Sequence, residues 1–280
     1  MIIALFPNTR KAQSKSITVG IREFLTSHGV TVVAEDSEAE EVGLPPLSSV
    51  PPDEVDFLIS LGGDGTILRL LHRHPELNAP VLGINLGSLG FMADIPVTDI
   101  YPSLQDLIDG KYRIQHRIMM KGMTVNGECC FAINEMVVHR SQIPGLIDLA
   151  VYVDGTYLNT FSADGLIIAT PNGSTAYSLA AGGPILTPEL NALVLTPISP
   201  HTVSNRPIVF LPKDTIQIQY LSHHDPVEIA FDGISRFSIA TGDPFHIQVS
   251  SRQFRLVALT RHDYYTTLRS KLGWSGKLRT

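Results

Sequence analysis

Cysteine is nearly absent: Cys129 and Cys130 are the only two in 280 residues, and they are neighbours. Adjacent strand residues point to opposite faces, so the two are badly placed to bridge each other. A disulfide framework is excluded, a reducing compartment and hence the cytoplasm fits, and both thiols read as buried core groups. No run approaches the roughly 18 apolar residues of a membrane helix. The opening run MIIALFPN is short and precedes Arg10 and Lys11, the reverse of a secretory signal, so Ile2–Phe6 reads as a buried strand. Dense Lys/Arg runs are missing and the net charge is -6, which argues against a nucleic-acid partner. No GxxxxGK[ST], GxGxxG, GxSxG or HExxH occurs, so P-loop, Rossmann, serine-hydrolase and zincin chemistries lose their usual signatures. No tandem repeat is present.

What is present divides the chain by pattern. Strand-like Ile2–Phe6, Val30–Ala34, Val55–Leu61 and Val81–Ile84 alternate with helix-like 12–27, 66–74 and 98–110, predicting an α/β domain on a parallel sheet. Ser37–Asp53, rich in Glu, Pro and Ser, reads as an exposed mobile loop. Beyond about residue 115, Asn126-Gly127 and Asp154-Gly155 mark hairpins, Asp232-Gly233 marks another turn, and period-two runs such as Thr215–Tyr220 predict an antiparallel β-rich domain. One helical piece, Ser174–Ala181, interrupts it. The expected division is 1–115 with the tail 262–280, and 116–261.

Four segments could carry chemistry. Gly62-Gly63-Asp64-Gly65-Thr66 follows an apolar strand and opens a helix. Ligands of open parallel sheets bind beyond the strands' carboxyl ends, where glycines let backbone N–H groups approach a phosphate. A carboxylate there, Asp64, makes sense if it binds a cation or takes a proton from an attacking hydroxyl; the plainer alternative is a tight turn in which it caps the helix. Asp164–Ile185 (DGLIIATPNGSTAYSLAAGGPI) runs from strand to turn to a small-residue helix, whose start at Ser174 and Thr175 could cradle an anion or a sugar. Asn134-Glu135 could bind vicinal hydroxyls, one residue donating and accepting, the other accepting. Thr196–Val209 places His201 after two Thr/Ser-Pro turns, near Arg206.

Read together, these segments resemble the NAD kinase family over nearly the whole chain. Gly62–Thr66 looks like that family's GGDG motif, Gly83–Asp94 (GINLGSLGFMAD) like the segment after it, and Asp164–Ile185 like its longest signature; Thr196–Val209 and the tail 271–278 (KLGWSGKL) also match. The resemblance implies a phosphofructokinase- or diacylglycerol-kinase-like α/β N-terminal domain, a β-rich NAD-binding C-terminal domain and a tail returning to the first. It implies transfer of the terminal phosphoryl group of ATP to the 2′-hydroxyl of the adenosine ribose of NAD, with a divalent cation such as Mg2+, in a homodimer or homotetramer. Asp64 would be the proton acceptor, with Gly62, Gly63, Gly65 and Thr66 at the phosphates and Gly65 and Phe91 against the nucleotide. Asn134 and Glu135 would bind ribose hydroxyls, Ser162 and Asp164 would lie toward the nicotinamide end, and Thr175, Ala176, Tyr177, Ser178, Leu179 and Ala180 would line the adenine and ribose pocket. Asp64 and the 170–180 turn would face each other across a domain cleft. Asn172, Ile234, Gly145 and Ser162 depart from the commoner residues of relatives. A lipid or sugar kinase sharing the GGDG loop, and a non-catalytic NAD(H) sensor, are the rival readings.

Overall fold

The computed structural model describes residues 1–140, 142–211, 215–223 and 226–276. Its contacts separate two compact units, Met1–Gln115 with the chain from Arg255 onward, and His116–Phe254.

The first unit is a parallel sheet covered by helices. β1 (Ile2–Pro7) leads through α1 (Ser14–Ser27) to β2 (Thr31–Ala34), α2 (Asp36–Val42), β3 (Phe57–Gly62), α3 (Asp64–Arg73), β4 (Val81–Asn85), the short β5 (Ile95–Pro96) and α4 (Ile100–Ile108). The strands lie in the order β4-β3-β1-β2 with parallel register, for instance Ile3↔Phe57 and Leu58↔Val81. Every residue of β3 and β4 is buried, as strands covered on both faces require. Ile21 and Leu25 of α1 and Leu104 and Leu107 of α4 close one face over Ile3, Leu5, Ile59 and Ile84.

The 37–53 stretch is not a loop. It holds α2 and two 3₁₀ turns, Leu47–Ser49 and Pro52–Glu54. Its acidic residues favour a helix N-terminus, Ala39 and Val42 bury against Ala34 of the edge strand β2, and Leu47 is buried after them. Composition suggested solvation, but three buried side chains outweigh it.

The second unit is a β-sandwich. β6 (Tyr112–Met123), β7 (Cys129–Ala132), β8 (Glu135–His139), β9 (Ile147–Val153), β10 (Thr156–Ala163), β11 (Gly165–Ala169), α5 (Tyr177–Ala180), β12 (Leu193–Ile198), β13 (Ile208–Phe210), β14 (Ile216–Tyr220), β15 (Val227–Phe231), β16 (Ser235–Ile239) and β17 (Pro244–Leu259) follow in turn. Residues 112–115 of β6 and 255–259 of β17 belong to the first unit, where α6 (Tyr264–Leu272) follows β17. One sheet of the sandwich runs β10-β9-β14-β17, with β6 also on β17; the other runs β13-β12-β11-β8-β15-β16, antiparallel throughout. Alternate residues of β14 and β15 point inward, and Leu149, Val151, Ile216, Ile218 and Phe245 of the first sheet share a core with Met136, Val138, Leu166, Ile168 and Ile229 of the second.

The Asn-Gly and Asp-Gly turns form as predicted. Asp154 and Gly155 (φ 50° and 77°) join β9 to β10, and Asp232 and Gly233 (φ 51° and 67°) join β15 to β16. Thr196-Pro197 makes no turn but lies inside β12; β13 pairs only with Leu193–Leu195, so the proline needs no second ladder partner. Cys129 is exposed and Cys130 half-buried, both unbridged, because β7 pairs only with β6 and has one open side. Lys277 and Leu278, the end of the tail segment, lie outside the described residues.

Candidate functional site

The GGDG turn forms where β3 ends and α3 begins. Gly63, extended at φ -155°, precedes the first turn of α3, which starts at Asp64, two residues earlier than the periodicity suggested. Ile67, Leu68, Leu70 and Leu71 seat the helix on the sheet, and Thr66 Oγ1 accepts from the Gly63 amide at 3.4 Å. Gly62 is required by contact, since a Cβ there would stand 2.2 Å from Thr66 Oγ1. Gly65 is exposed at the mouth of the turn.

Asp64 does not cap its own helix. Its carboxylate reaches 27 to 29 residues along the chain, where Phe91 N–H donates to Oδ2 at 2.8 Å and Met92 and Ala93 N–H donate to Oδ1 at 3.0 and 2.8 Å. The loop is shaped for this. Asn85, at the end of β4, donates from Nδ2 to the carbonyls of Ser88 and Ala93 and accepts from Gly87 N–H. The Gly90 amide closes the loop on Ala93 O at 2.9 Å. Phe91 is thus tied to Asp64 through its backbone, its ring being half-buried beside Tyr264.

Beside Thr66 opens a polar cavity of about 230 Å3, lined by Asn8, Thr9 and Arg10 after β1 and by Arg69 and Arg73 of α3, with Glu35 and Glu38. Arg10, and Arg69 whose Nη2 reaches Thr66 Oγ1, stand beside the first turn of α3 and favour an anion, whereas Arg73, the last residue of α3, is paired with Glu35.

In the second unit the same clamp recurs. Asp232, read from the sequence only as a turn residue, accepts the consecutive amides of Ile133, Asn134 and Glu135 at 2.9, 2.8 and 3.1 Å. No local pattern could reveal it, because its partners lie 97 to 99 residues away. Thr170 locks the other side, its amide bonding Asn134 O at 2.8 Å and its hydroxyl Ile133 O at 2.5 Å. Gly173 then passes so close that a Cβ would stand 2.2 Å from Asn134 O and 2.9 Å from Glu135 Oε2. Arg117 donates to Asn172 Oδ1 at 2.6 Å, a use for the departure at 172.

Three polar atoms of this cluster, Asn134 Oδ1, Glu135 Oε2 and Asn172 Nδ2, are buried with no partner among the described residues. Buried polar groups are normally satisfied, so such a group points to a bound molecule or water. Burial pushes the Glu135 carboxyl up to about 8, and the Asp232 carboxylate pushes it the same way. Near neutrality Glu135 therefore carries a proton and can donate as well as accept.

The 174–181 helix is two pieces, a 3₁₀ turn at Gly173–Thr175 and α5, broken at Ala176 (φ -104°, ψ -125°). Ser174 offers no free hydroxyl: it donates to Pro171 O and accepts from Leu186 N–H, holding the turn shut. Thr175 donates to Asn172 O. Ser178 is fully buried against Thr196 Oγ1 at 2.9 Å. Ala176 and Leu179 are half-buried, and Tyr177 and Ala180 are exposed. Ser162 donates to Asp148, and Asp164 pairs with Arg140 Nε at 2.6 Å. His201 is exposed and bonds Ser162 O through its amide. The structure thus joins Asp64 with Phe91, and Asn134 and Glu135 with the 170–175 turn, while Ser162 and Asp164 have protein partners of their own.

Among the described residues no three His, Cys, Asp or Glu side chains gather as a metal cage.

Against known proteins, residues 3–112 match the family model for the ATP-NAD kinase N-terminal domain and 133–259 that for the ATP-NAD kinase C-terminal domain. The NAD kinase of Protochlamydia amoebophila is 61% identical over 278 residues, 99% of this chain and 100% of that one. That of Geotalea daltonii is 38% identical, covering 97% and 98%. Among solved structures, yeast NADH kinase complexed with NADH superposes with a TM-score of 0.86 at 28% identity, over 100% of this chain and 89% of that one. An NAD kinase from Archaeoglobus fulgidus in complex with ATP gives 0.77 at 26%, over 99% and 100%.

Proposed function

This chain belongs to the NAD kinase family, and we propose that Asp64 is the group that accepts the proton in its reaction. The enzyme transfers the terminal phosphoryl group of ATP to the 2′-hydroxyl of the adenosine ribose of NAD, giving NADP.

The observation that carries the role is the three-amide clamp on Asp64. A carboxylate offers about four acceptor positions. Three are taken, and Oδ2, with a single N–H, keeps room for the 2′-hydroxyl. As that O–H gives its proton to Oδ2, the ribose oxygen forms its bond to the γ-phosphorus while the bond to the bridging oxygen breaks and ADP leaves. Such transfers depend on alignment and on offsetting charge rather than on covalent help. Gly62, Gly63, Gly65 and Thr66 would hold donor phosphates at the start of α3, with Arg10 and Arg69 supporting the negative charge. Mg2+ takes only one or two carboxylates when phosphates supply its other ligands, and when bound it would offset triphosphate charge.

Asn134 Oδ1 and a protonated Glu135 would meet ribose hydroxyls, satisfying atoms the protein leaves unpaired. Following the family resemblance, Phe91, Thr175, Ala176, Tyr177, Ser178, Leu179 and Ala180 would contact the nucleotide, Ser178 through its backbone. Ser162 and Asp164 would lie toward nicotinamide. The free thiols suit a cytoplasmic enzyme. A homodimer or homotetramer is supported by the exposed Tyr157 and Leu158 on the edge strand β10, and a solution mass of one chain, 30.6 kDa, would reject it.

The test is direct. Pure protein with NAD, ATP and Mg2+ should yield NADP, read by an NADP-specific dehydrogenase. Asp64→Asn should cut turnover at least about a hundredfold while NAD still binds by calorimetry. Full activity in that variant would reject the role of Asp64. Lipid or sugar phosphorylation without NADP would reject the acceptor, and NAD binding without product would make the chain a sensor.

A further inference from the structure

The tail from residue 260 onward lies beyond the segments that the two family models match. α6 is a well-formed helix: Asp263 caps it by accepting the Thr266 amide and hydroxyl at 2.9 Å, and Gly273 (φ 64°) closes it in the left-handed conformation. Thr267 and Leu268 bury and anchor it.

Tyr264 and Lys271 stand seven residues apart, two turns along one face. Both meet the same residue of the loop that follows β4. The Tyr264 ring lies 6.0 Å from that of Phe91, and Lys271 Nζ stands 5.1 Å over the Phe91 ring. Lys271 Nζ also donates to Leu89 O at 2.7 Å, a bond spanning 182 residues. The helix thus holds Leu89 by its carbonyl and Phe91 by its ring.

Those residues flank the amides that orient Asp64. Phe91, Met92 and Ala93 N–H bind its oxygens, and Gly90 has no side chain where Asp64 Oδ1 stands. From within, Asn85 shapes the loop. On its outer side, the tail grips it.

We propose that α6 is a positioning element for the reaction: through Lys271 and Tyr264 it keeps the 89–91 segment in the conformation that aims the Asp64 carboxylate. The inference rests on the reading of Asp64 as proton acceptor. Lys271 touches no reacting atom; it acts through Phe91. Small displacements of a catalytic group cost rate far more than binding, so the loss belongs in kcat.

The experiment uses the full chain. Lys271→Met keeps the apolar stem and removes the charge. It should lower kcat about five- to tenfold, the scale of one hydrogen bond and one cation–π contact, with a smaller rise in KM for NAD from the freed Phe91 ring. Amide hydrogen exchange at Phe91, Met92 and Ala93 should quicken. Lys271→Arg, which can still donate and stack, should restore most of both. In the residual activity of Asp64→Asn, adding Lys271→Met should cost nothing further, because the two changes act through one group. Unchanged exchange at the three amides overturns the brace, as does a kcat loss that multiplies with that of Asp64→Asn. Faster exchange with an unaltered kcat would overturn the positioning role, while the role of Asp64 itself stands or falls on the turnover of Asp64→Asn.

Discussion

Gly90 leaves open the space that Asp64 Oδ1 occupies: a Cβ at Gly90 would fall 2.1 Å from that oxygen and 2.8 Å from Cγ. Both atoms of the collision are central to the site, and neither can yield without breaking the amide clamp. Gly90→Ala should therefore lower turnover by about a hundredfold or more, as a misplacement near 1 Å can. Circular dichroism and a melting curve close to the parent's would show that the fold survives. Near-normal kinetics would mean that the loop relaxes freely and that the clamp does not set the carboxylate's position.

Asp232 performs the corresponding task for Asn134 and Glu135. Asp232→Ala strands three amides and frees the pair to move. KM for NAD should rise tenfold or more, about the effect of losing a charge-assisted hydrogen bond. Calorimetry should show weaker NAD binding. An unaltered affinity would separate the pair from acceptor binding.

Glu135 makes stability depend on pH in a defined direction. Its carboxyl is raised from 4.5 to about 8 in the folded chain. Below 4.5 both folded and unfolded states hold the proton, so the group contributes nothing. Between 4.5 and about 8 the unfolded chain ionises while the folded one keeps its proton, and stability falls as pH rises. Glu135→Gln removes this slope, so it should gain most over the parent near pH 8 and almost nothing near pH 4.5. Parallel melting profiles for the two proteins across that range would contradict the burial argument.

His74 and Glu35 give the opposite test in the first unit. The Glu35 hydrogen bond raises the His74 value above 6.5, and the His74 bond lowers Glu35 below 4.5. The histidine's contribution is complete below pH 6.5 and is lost as pH rises through its folded value. The glutamate's is complete above 4.5 and is lost as pH falls. His74→Gln should therefore lower the melting temperature near pH 5.5 and have little effect at pH 9. An equal loss at both values would point to packing against Phe6, 5.5 Å away, rather than to charge.

Much of this protein is written locally. The alternation of apolar runs and amphipathic segments sets the parallel unit, and period two with three Asn-Gly or Asp-Gly turns sets the sandwich, because both patterns depend only on near neighbours. The strand–glycine–helix junction at Gly62–Thr66 is equally local, so the sequence alone singles out Asp64. Segment 37–53 misled because composition weighs polar residues equally, whereas burial of Ala39, Val42 and Leu47 decides. The apparent helix at 174–181 misled because propensity cannot register that Ser174 bonds Leu186 across the turn.

What tertiary structure alone decided is where the charged groups point. Asp64 meets amides 27 to 29 residues on, Asp232 meets amides 97 to 99 residues back, and Lys271 reaches Leu89 across 182. Sequence determined which carboxylates and glycines were available and on which elements they would sit. Their orientation comes from backbone N–H groups, which every residue but proline carries and no residue type announces. Only the folded chain reveals which of them a carboxylate finds.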